Sequence, residues 1–284
     1  PEMIRYLEQV LDEPYPWDKY AQTLVRNMPG GMENTSATTM GEFAARSGPG
    51  GGDDLVVHEL IHQWFGDLMT CRTWAHLWLN EGWATYGEHL WAEHQGGEAG
   101  YLDAVSNARR RFVARNRATL PKDVPMVSNR YSSPEDVFAK TDDVYAKGGL
   151  VLHALRARLG DEAFFKGVRA YIDLHKFGVV ETDDFRNAME DASGQSLERF
   201  FHQYCDRAGV PVLAVKATWD DAAKALTVSV EQTQTINADN PAYALSVPIY
   251  VDFGGDQGQW ITADTDVRSV ERVFALARKP VSIS

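Results

Sequence analysis

Apolar residues recur at helical spacing through much of the first 210 positions and at short, strand-like intervals beyond them. Val144, Leu150, Val151, Leu152 and Leu155 predict a helix from Val144 to Leu159, and a second follows from Asp161 to Leu174, its start marked by Gly160-Asp161. Thr182 reads as the N-cap of a third helix, with Phe185 and Met189 facing inward. Ser196-Leu197-Glu198 leads into a fourth, carrying Phe200, Phe201 and Tyr204. The pattern switches near Gly209-Val210-Pro211. Alternating or apolar runs at 211–215, 225–230, 245–251 and 272–276 read as strands, with turns at Asn240-Pro241 and Phe253-Gly254-Gly255-Asp256. We therefore divide the chain into a mainly helical domain over 1–210 and a small β-sandwich over 211–284, an α+β protein. No internal repeat is visible. The one biased segment, Ser47-Gly48-Pro49-Gly50-Gly51-Gly52, reads as a flexible loop.

The balance of residues, 44% hydrophobic and 24% charged over 284 positions, is that of a globular chain with enough length for a large buried core. Nothing approaches an 18-residue apolar run, so no membrane span is expected. The net charge of −12 argues against a nucleic-acid partner, because phosphate binding needs a basic face. Two cysteines, Cys71 and Cys205, stand far apart in apolar surroundings and read as buried thiols. The start, Pro1-Glu2-Met3-Ile4-Arg5, has no signal-peptide pattern and reads as a fragment or a processed form. With no disulfide framework, the expected compartment is the cytoplasm.

Candidate chemistry centres on His58-Glu59-Leu60-Ile61-His62. Residues i and i+4 share a helix face, so both imidazoles can reach one ion. Glu59 lies about 100° further round, close enough to act on water without ligating. Val56, Val57, Leu60, Ile61, Trp64 and Phe65 suit burial of that helix. Glu81 follows His62 after the eighteen residues 63–80. Two histidines and a glutamate are a standard catalytic zinc set with one position left open. An unpaired carboxylate among Trp78, Leu79 and Trp83 would be costly, and metal coordination relieves that cost. His76, His89, His94, His153, His175 and His202 lack ligand spacing and read as surface or core residues.

These residues resemble the gluzincin metallopeptidases. Gly30-Gly31-Met32-Glu33-Asn34 is similar to the exopeptidase signature of the aminopeptidase N family, and Tyr145-Ala146-Lys147-Gly148 to a further segment of it. The likeness runs from Pro14-Tyr15-Pro16-Trp17 to His202-Gln203-Tyr204 and into the β-rich tail. It implies a thermolysin-like catalytic domain holding one Zn²⁺ per chain through His58, His62 and Glu81. Zinc acidifies water and polarises a scissile carbonyl. Glu59 would be the general base and then acid, and Tyr145 would donate to the oxyanion. Gly31, Met32, Glu33 and Asn34 would bind the substrate, with Glu33 pairing its free α-ammonium. The partners implied are peptides with a free N-terminus.

The same family usually places a β-domain before the catalytic domain, and often a helical domain after it; both are expected to be missing here. Reduced activity of such a piece is then expected. Three other readings share the motif: a thermolysin-type endopeptidase, a leukotriene-hydrolase-like epoxide hydrolase, and a catalytically inactive scaffold. Glu33 argues against the first, the β-rich tail against the second, and the intact ligand and base positions against the third.

Overall fold

The computed structural model describes residues 1–46, 52–118, 124–141, 143–255 and 257–284, which divide into the units Pro1–Gly209 and Val210–Ser284. The glycine-rich residues 47–51 and the turn residue Asp256 lie outside the described residues.

In the first unit the helices are α1 (Glu2–Leu11), α2 (Phe43–Arg46), α3 (Asp53–Ile61), α4 (Trp78–Ala118), α5 (Pro134–Lys140), α6 (Ala146–Leu159), α7 (Asp161–His175), α8 (Thr182–Ser193) and α9 (Glu198–Tyr204). α4 breaks at Gly97, where φ is 62°. The strands β1 (Ala21–Val25), β2 (Gly31–Met32) and β3 (Ala37–Gly41) form one sheet in the order β1-β3-β2, and β4 (Met69–Cys71) pairs in parallel with β5 (Gly178–Val180). The two sheets do not follow from the hydrophobic pattern; α1, not among the expected helices, does carry Ile4, Leu7 and Leu11 at helical spacing. β1 is exposed along its whole length and β2 has two residues, so neither shows a buried alternation.

Aromatic side chains form the core around the motif helix. Phe65 stacks on Trp83 with centroids 4.1 Å apart and planes 7° from parallel, joining the end of α3 to α4. Trp83 in turn meets Tyr86, Phe164 and Phe185. α8 begins one residue earlier than expected. Its N-cap is Glu181, which exchanges bonds with Asp184 in a capping box. The Thr182 hydroxyl is used elsewhere: it accepts from Trp78 Nε1 at 2.9 Å and meets His76 Nδ1 at 3.0 Å.

α4 and α6 cross at two glycines. A Cβ on Gly148 would lie 2.7 Å from the Gly82 Cα, and one on Gly82 would lie 2.9 Å from the Gly148 Cα. Backbone therefore touches backbone at this crossing, one residue from Glu81 and three from Tyr145. Arg156 locks the far end of α6. It donates to Glu93 on α4 at 2.7 Å and to Asp161 on α7 at 2.8 Å, and its guanidinium lies over the Tyr101 ring at 5.1 Å.

The second unit contains β6 (Leu213–Asp220), β7 (Ala225–Gln232), β8 (Leu245–Gly254), β9 (Gln257–Thr265), β10 (Ser269–Ala275) and β11 (Ser282–Ile283). They make two three-stranded sheets, ordered β10-β7-β6 and β11-β8-β9, with antiparallel pairing throughout. Alternate residues Leu226, Val228 and Val230 of β7 pack with Ile249, Val251 and Ala263, which gives the small β-sandwich its interior. The expected 211–215 strand starts two residues later, at Leu213, and β9 was not expected at all. Its first four residues, Gln257-Gly258-Gln259-Trp260, are exposed and mostly polar. No described helix is long and apolar enough to cross a membrane.

Replacing Gly148 by valine forces branched carbons into the Gly82 backbone. We expect Gly148→Val to lower stability by about 1–3 kcal/mol. Urea unfolding followed by circular dichroism measures it, and an unchanged midpoint would show that the crossing is not close-packed.

Candidate metal centre

Two elements deliver the three expected ligands. α3 carries His58, and His62 caps its C-terminal end with right-handed helical backbone (φ −56°, ψ −24°), so the two imidazoles stay on one face. Glu81 stands in the first turn of α4. His58 Nε2 lies 3.5 Å and His62 Nε2 3.4 Å from the same oxygen, Glu81 Oε2. Donors held about 2.0–2.2 Å from an ion at tetrahedral angles would stand about 3.4 Å apart. The spacing is long for a good N–H···O bond, and Glu81 Oε2 is buried without a well-formed one. Three buried donor atoms that face one another in this way fit a cation better than they fit each other.

The outward nitrogens of both rings are engaged. His58 Nδ1 meets Glu88 Oε1 at 2.9 Å, and the other Glu88 oxygen lies 3.4 Å from Arg111. His62 Nδ1 donates to the Phe65 carbonyl at 2.9 Å. Both contacts hold the ring so that Nε2 points inward, as a partner of a metal-ligating histidine does. The sequence reading missed Glu88, although its spacing seven residues after Glu81 places it on the same helix face.

The electrostatics follow from burial and these pairs. Burial would lower the His58 pKa, but the facing carboxylates of Glu81 and Glu88 overcome it and push it up to about 10. Burial likewise works to raise the Glu81 carboxyl, and the two imidazoles overcome it and hold it at about 2. Glu59 has no such partner of its own. Burial raises it to about 7, against the pull of His58 and His62. Its Oε2 is buried without a hydrogen bond.

β2 lies directly against this carboxylate. A Cβ on Gly31 would overlap the Glu59 side chain, so only glycine lets the strand pass here. Glu33 follows, and ligand atoms of Glu33, Glu59 and His62 lie within 4.8 Å of one another. Gln63 ties this loop to the end of α3, donating to the Glu33 carbonyl at 2.9 Å and accepting from the Ser36 N–H at 2.8 Å. Asn34 accepts from the Thr39 hydroxyl at 3.0 Å and closes the turn into β3, while the Met32 side chain is exposed. Tyr145 precedes α6. Asp143 Oδ1 accepts from the Tyr145 and Ala146 N–H groups at 3.0 and 3.1 Å, a local cap that fixes where the helix starts. The Tyr145 ring stacks against His58 at 6.1 Å, and burial together with the charge of Glu81 drives its phenol pKa well up. Gly31, His58, Glu59, Glu88, Arg111 and Tyr145 line an open cleft of about 610 Å³.

Among the described residues, the other histidines join no metal-type cluster. His76 bonds Thr182, His153 bonds the Tyr101 hydroxyl at 2.8 Å, and His89 is buried in the core. Cys205 is buried as expected, whereas Cys71 at the end of β4 is only partly so; both are free thiols.

Residues 1–204 match the peptidase family M1 domain. An aminopeptidase N from Streptomyces lividans is 35% identical over 217 residues, covering 73% of this chain and 25% of the relative. The chain spans about a quarter of the length of the curated relatives it matches. A solved M1 zinc metallopeptidase mutant from Deinococcus radiodurans, bound to a Tyr-Ser-Ala substrate, is 31% identical with a TM-score of 0.61, covering 74% of this chain and 44% of that one. Legionella pneumophila aminopeptidase A, solved with aspartic acid, shares the fold at a TM-score of 0.74 and 20% identity, over 98% of this chain and 32% of its own.

Two expectations follow from the electrostatics. With its pKa raised to about 10, His58 carries a proton in the metal-free protein at neutral pH, whereas a ligand must be neutral. Zinc binding should therefore release a proton, and affinity should climb as pH rises from neutrality towards about 10. Calorimetry in two buffers of different ionisation enthalpy reads both; a pH-independent affinity would contradict the carboxylate grip on His58. Glu88→Gln should weaken zinc binding about 10–100-fold, as measured by competition with a chelating dye.

Proposed function

The chain belongs to peptidase family M1, and from that premise we propose that it is the catalytic part of a zinc-dependent aminopeptidase, acting on peptides with a free N-terminus. The observation that carries the reading is the convergence of His58, His62 and Glu81, with the carboxylates of Glu59 and Glu33 alongside. One Zn²⁺ per chain would be held by the first three, and when bound it would supply the Lewis acidity that activates water and polarises a peptide carbonyl.

The remaining steps fall to the protein's own side chains. Glu59, raised to about 7 by burial, is poised to take a proton from the attacking water and return it to the leaving amine. Tyr145, its pKa driven up, keeps its proton and can donate a hydrogen bond to the developing oxyanion, a contact worth roughly 3 kcal/mol. Glu33 offers a charge partner to the α-ammonium, so a residue inside a peptide chain, with no such charge, binds poorly. Gly31 makes this possible by admitting the loop against Glu59. In this reading the break at residue 210 separates a catalytic domain from its β-sandwich, and the neighbouring domains of a longer protein complete the amine site. The two free thiols fit a reducing, cytoplasmic setting. With the candidate ligand and base residues all present, nothing favours an inert scaffold.

Glu59→Gln should lower hydrolysis of leucine 4-nitroanilide at least about 100-fold while zinc content stays at one ion. N-acetylation of that substrate should suppress cleavage by the unaltered protein. Full turnover in Glu59→Gln would remove the base assignment, and equal cleavage of the acetylated compound would remove the exopeptidase assignment.

A further inference from the structure

Gln63 follows His62 directly, is completely buried, and makes no contact expected of a catalytic group. Its carboxamide is nevertheless engaged at both ends. Nε2 donates to the Glu33 carbonyl at 2.9 Å. Oε1 accepts from the Ser36 N–H at 2.8 Å and lies 3.2 Å from the Tyr15 hydroxyl, which is also 3.1 Å from the Lys19 carbonyl. The backbone partners leave no choice of orientation: an N–H must face the oxygen, and a carbonyl must face the nitrogen.

The two backbone bonds bracket residues 34 and 35, so they grip the chain on both sides of the turn that follows Glu33. Ser36 sits there with a left-handed φ of 60°, a conformation that costs energy without an anchor. The neighbouring residue on the other side is His62, a ring nitrogen of which lies within 4.8 Å of a Glu33 carboxylate oxygen. One side chain thus joins a metal ligand to the loop that carries the amine partner.

We propose that Gln63 is a positioning residue for amine recognition: it sets the distance between the metal ligand His62 and the Glu33 carboxylate, and so the gap into which an N-terminal α-ammonium must fit. The proposal rests on the aminopeptidase reading. No residue of similar size replaces the group. Glutamate cannot donate to the Glu33 carbonyl at neutral pH, and methionine offers no donor and only a weak acceptor. Either change frees the loop to shift, and an ångström of misplacement is enough to lose a charge contact of this kind.

The test is binding to the zinc-loaded chain by two probes, leucine hydroxamate and 4-methylpentanoyl hydroxamate, which is the same molecule without the amine. In Gln63→Met and Gln63→Glu, the amine-bearing probe should weaken about tenfold relative to the amine-free one. In Glu33→Gln the same selective loss is expected, and adding Gln63→Met to it should cost little more, because both act on one contact. Zinc content and thermal unfolding accompany each variant. Tyr15→Phe, which keeps both backbone bonds, should preserve discrimination between the probes. Equal weakening of both probes in the Gln63 variants, or unchanged discrimination, would overturn the positioning role while leaving the aminopeptidase reading intact. Unchanged discrimination in Glu33→Gln would overturn the amine reading and the proposal with it.

Discussion

Three buried donors meeting at one point impose the central constraint on the first unit. A carboxylate and two imidazoles within 3.5 Å, all largely cut off from water, make an electrostatic cluster that is tolerable only when its charges balance. Without an ion, the protein balances it with a proton on His58 and a negative charge on Glu81, whose carboxylate also draws the His62 pKa upward against the effect of burial. With a divalent cation, the same atoms become ligands. The surroundings serve both states. Glu88 and the Phe65 carbonyl engage the outward ring nitrogens, so neither imidazole can turn its inward nitrogen away.

Steric economy at glycine does as much as charge to place the cluster. Gly82 stands next to Glu81 and packs on Gly148, which lies one turn after Tyr145. The candidate ligand on α4 and the candidate oxyanion donor just before α6 are therefore tied to helices whose backbones touch, which restrains their relative height. Gly31 plays the corresponding part for the loop, letting backbone lie against the Glu59 carboxylate. Burial of that carboxylate raises its pKa towards the range useful to a base. Gly31 and Gly148 belong to the quoted motifs and Gly82 directly follows Glu81, and in each case the reason for glycine is the space a Cβ would occupy.

Much of the site could be read in advance because its chemistry is local. A histidine pair at i and i+4 needs only helical backbone, and aromatic residues around Glu81 announce that the carboxylate is buried. Glu88, Gln63 and Asp143 could not be read so directly. Each acts through a few hydrogen bonds to groups that are distant in sequence or belong to the backbone, and polar residues of these kinds are ordinarily solvated. The long helix α7 shows its apolar face plainly, and α6 is legible from its run of apolar residues at 150–152 and 155. The sheet of β1, β2 and β3 does not, because a two-residue strand and a fully exposed one carry no alternation. β9 was missed for the same reason: its opening residues are exposed and include a glycine.

The sequence by itself determined the candidate ligand set, the candidate base, the helical character of the first part and the change to strands near residue 210, since residue type and spacing along one chain decide all of these. Tertiary structure alone decided that Glu81 Oε2 faces both imidazoles, that Glu33 stands beside Glu59 and His62, and that Gln63 ties the loop to the motif helix. Those facts depend on how α3, α4 and the loop before β3 are packed, and packing brings together residues whose separation along the chain carries no trace of their contact.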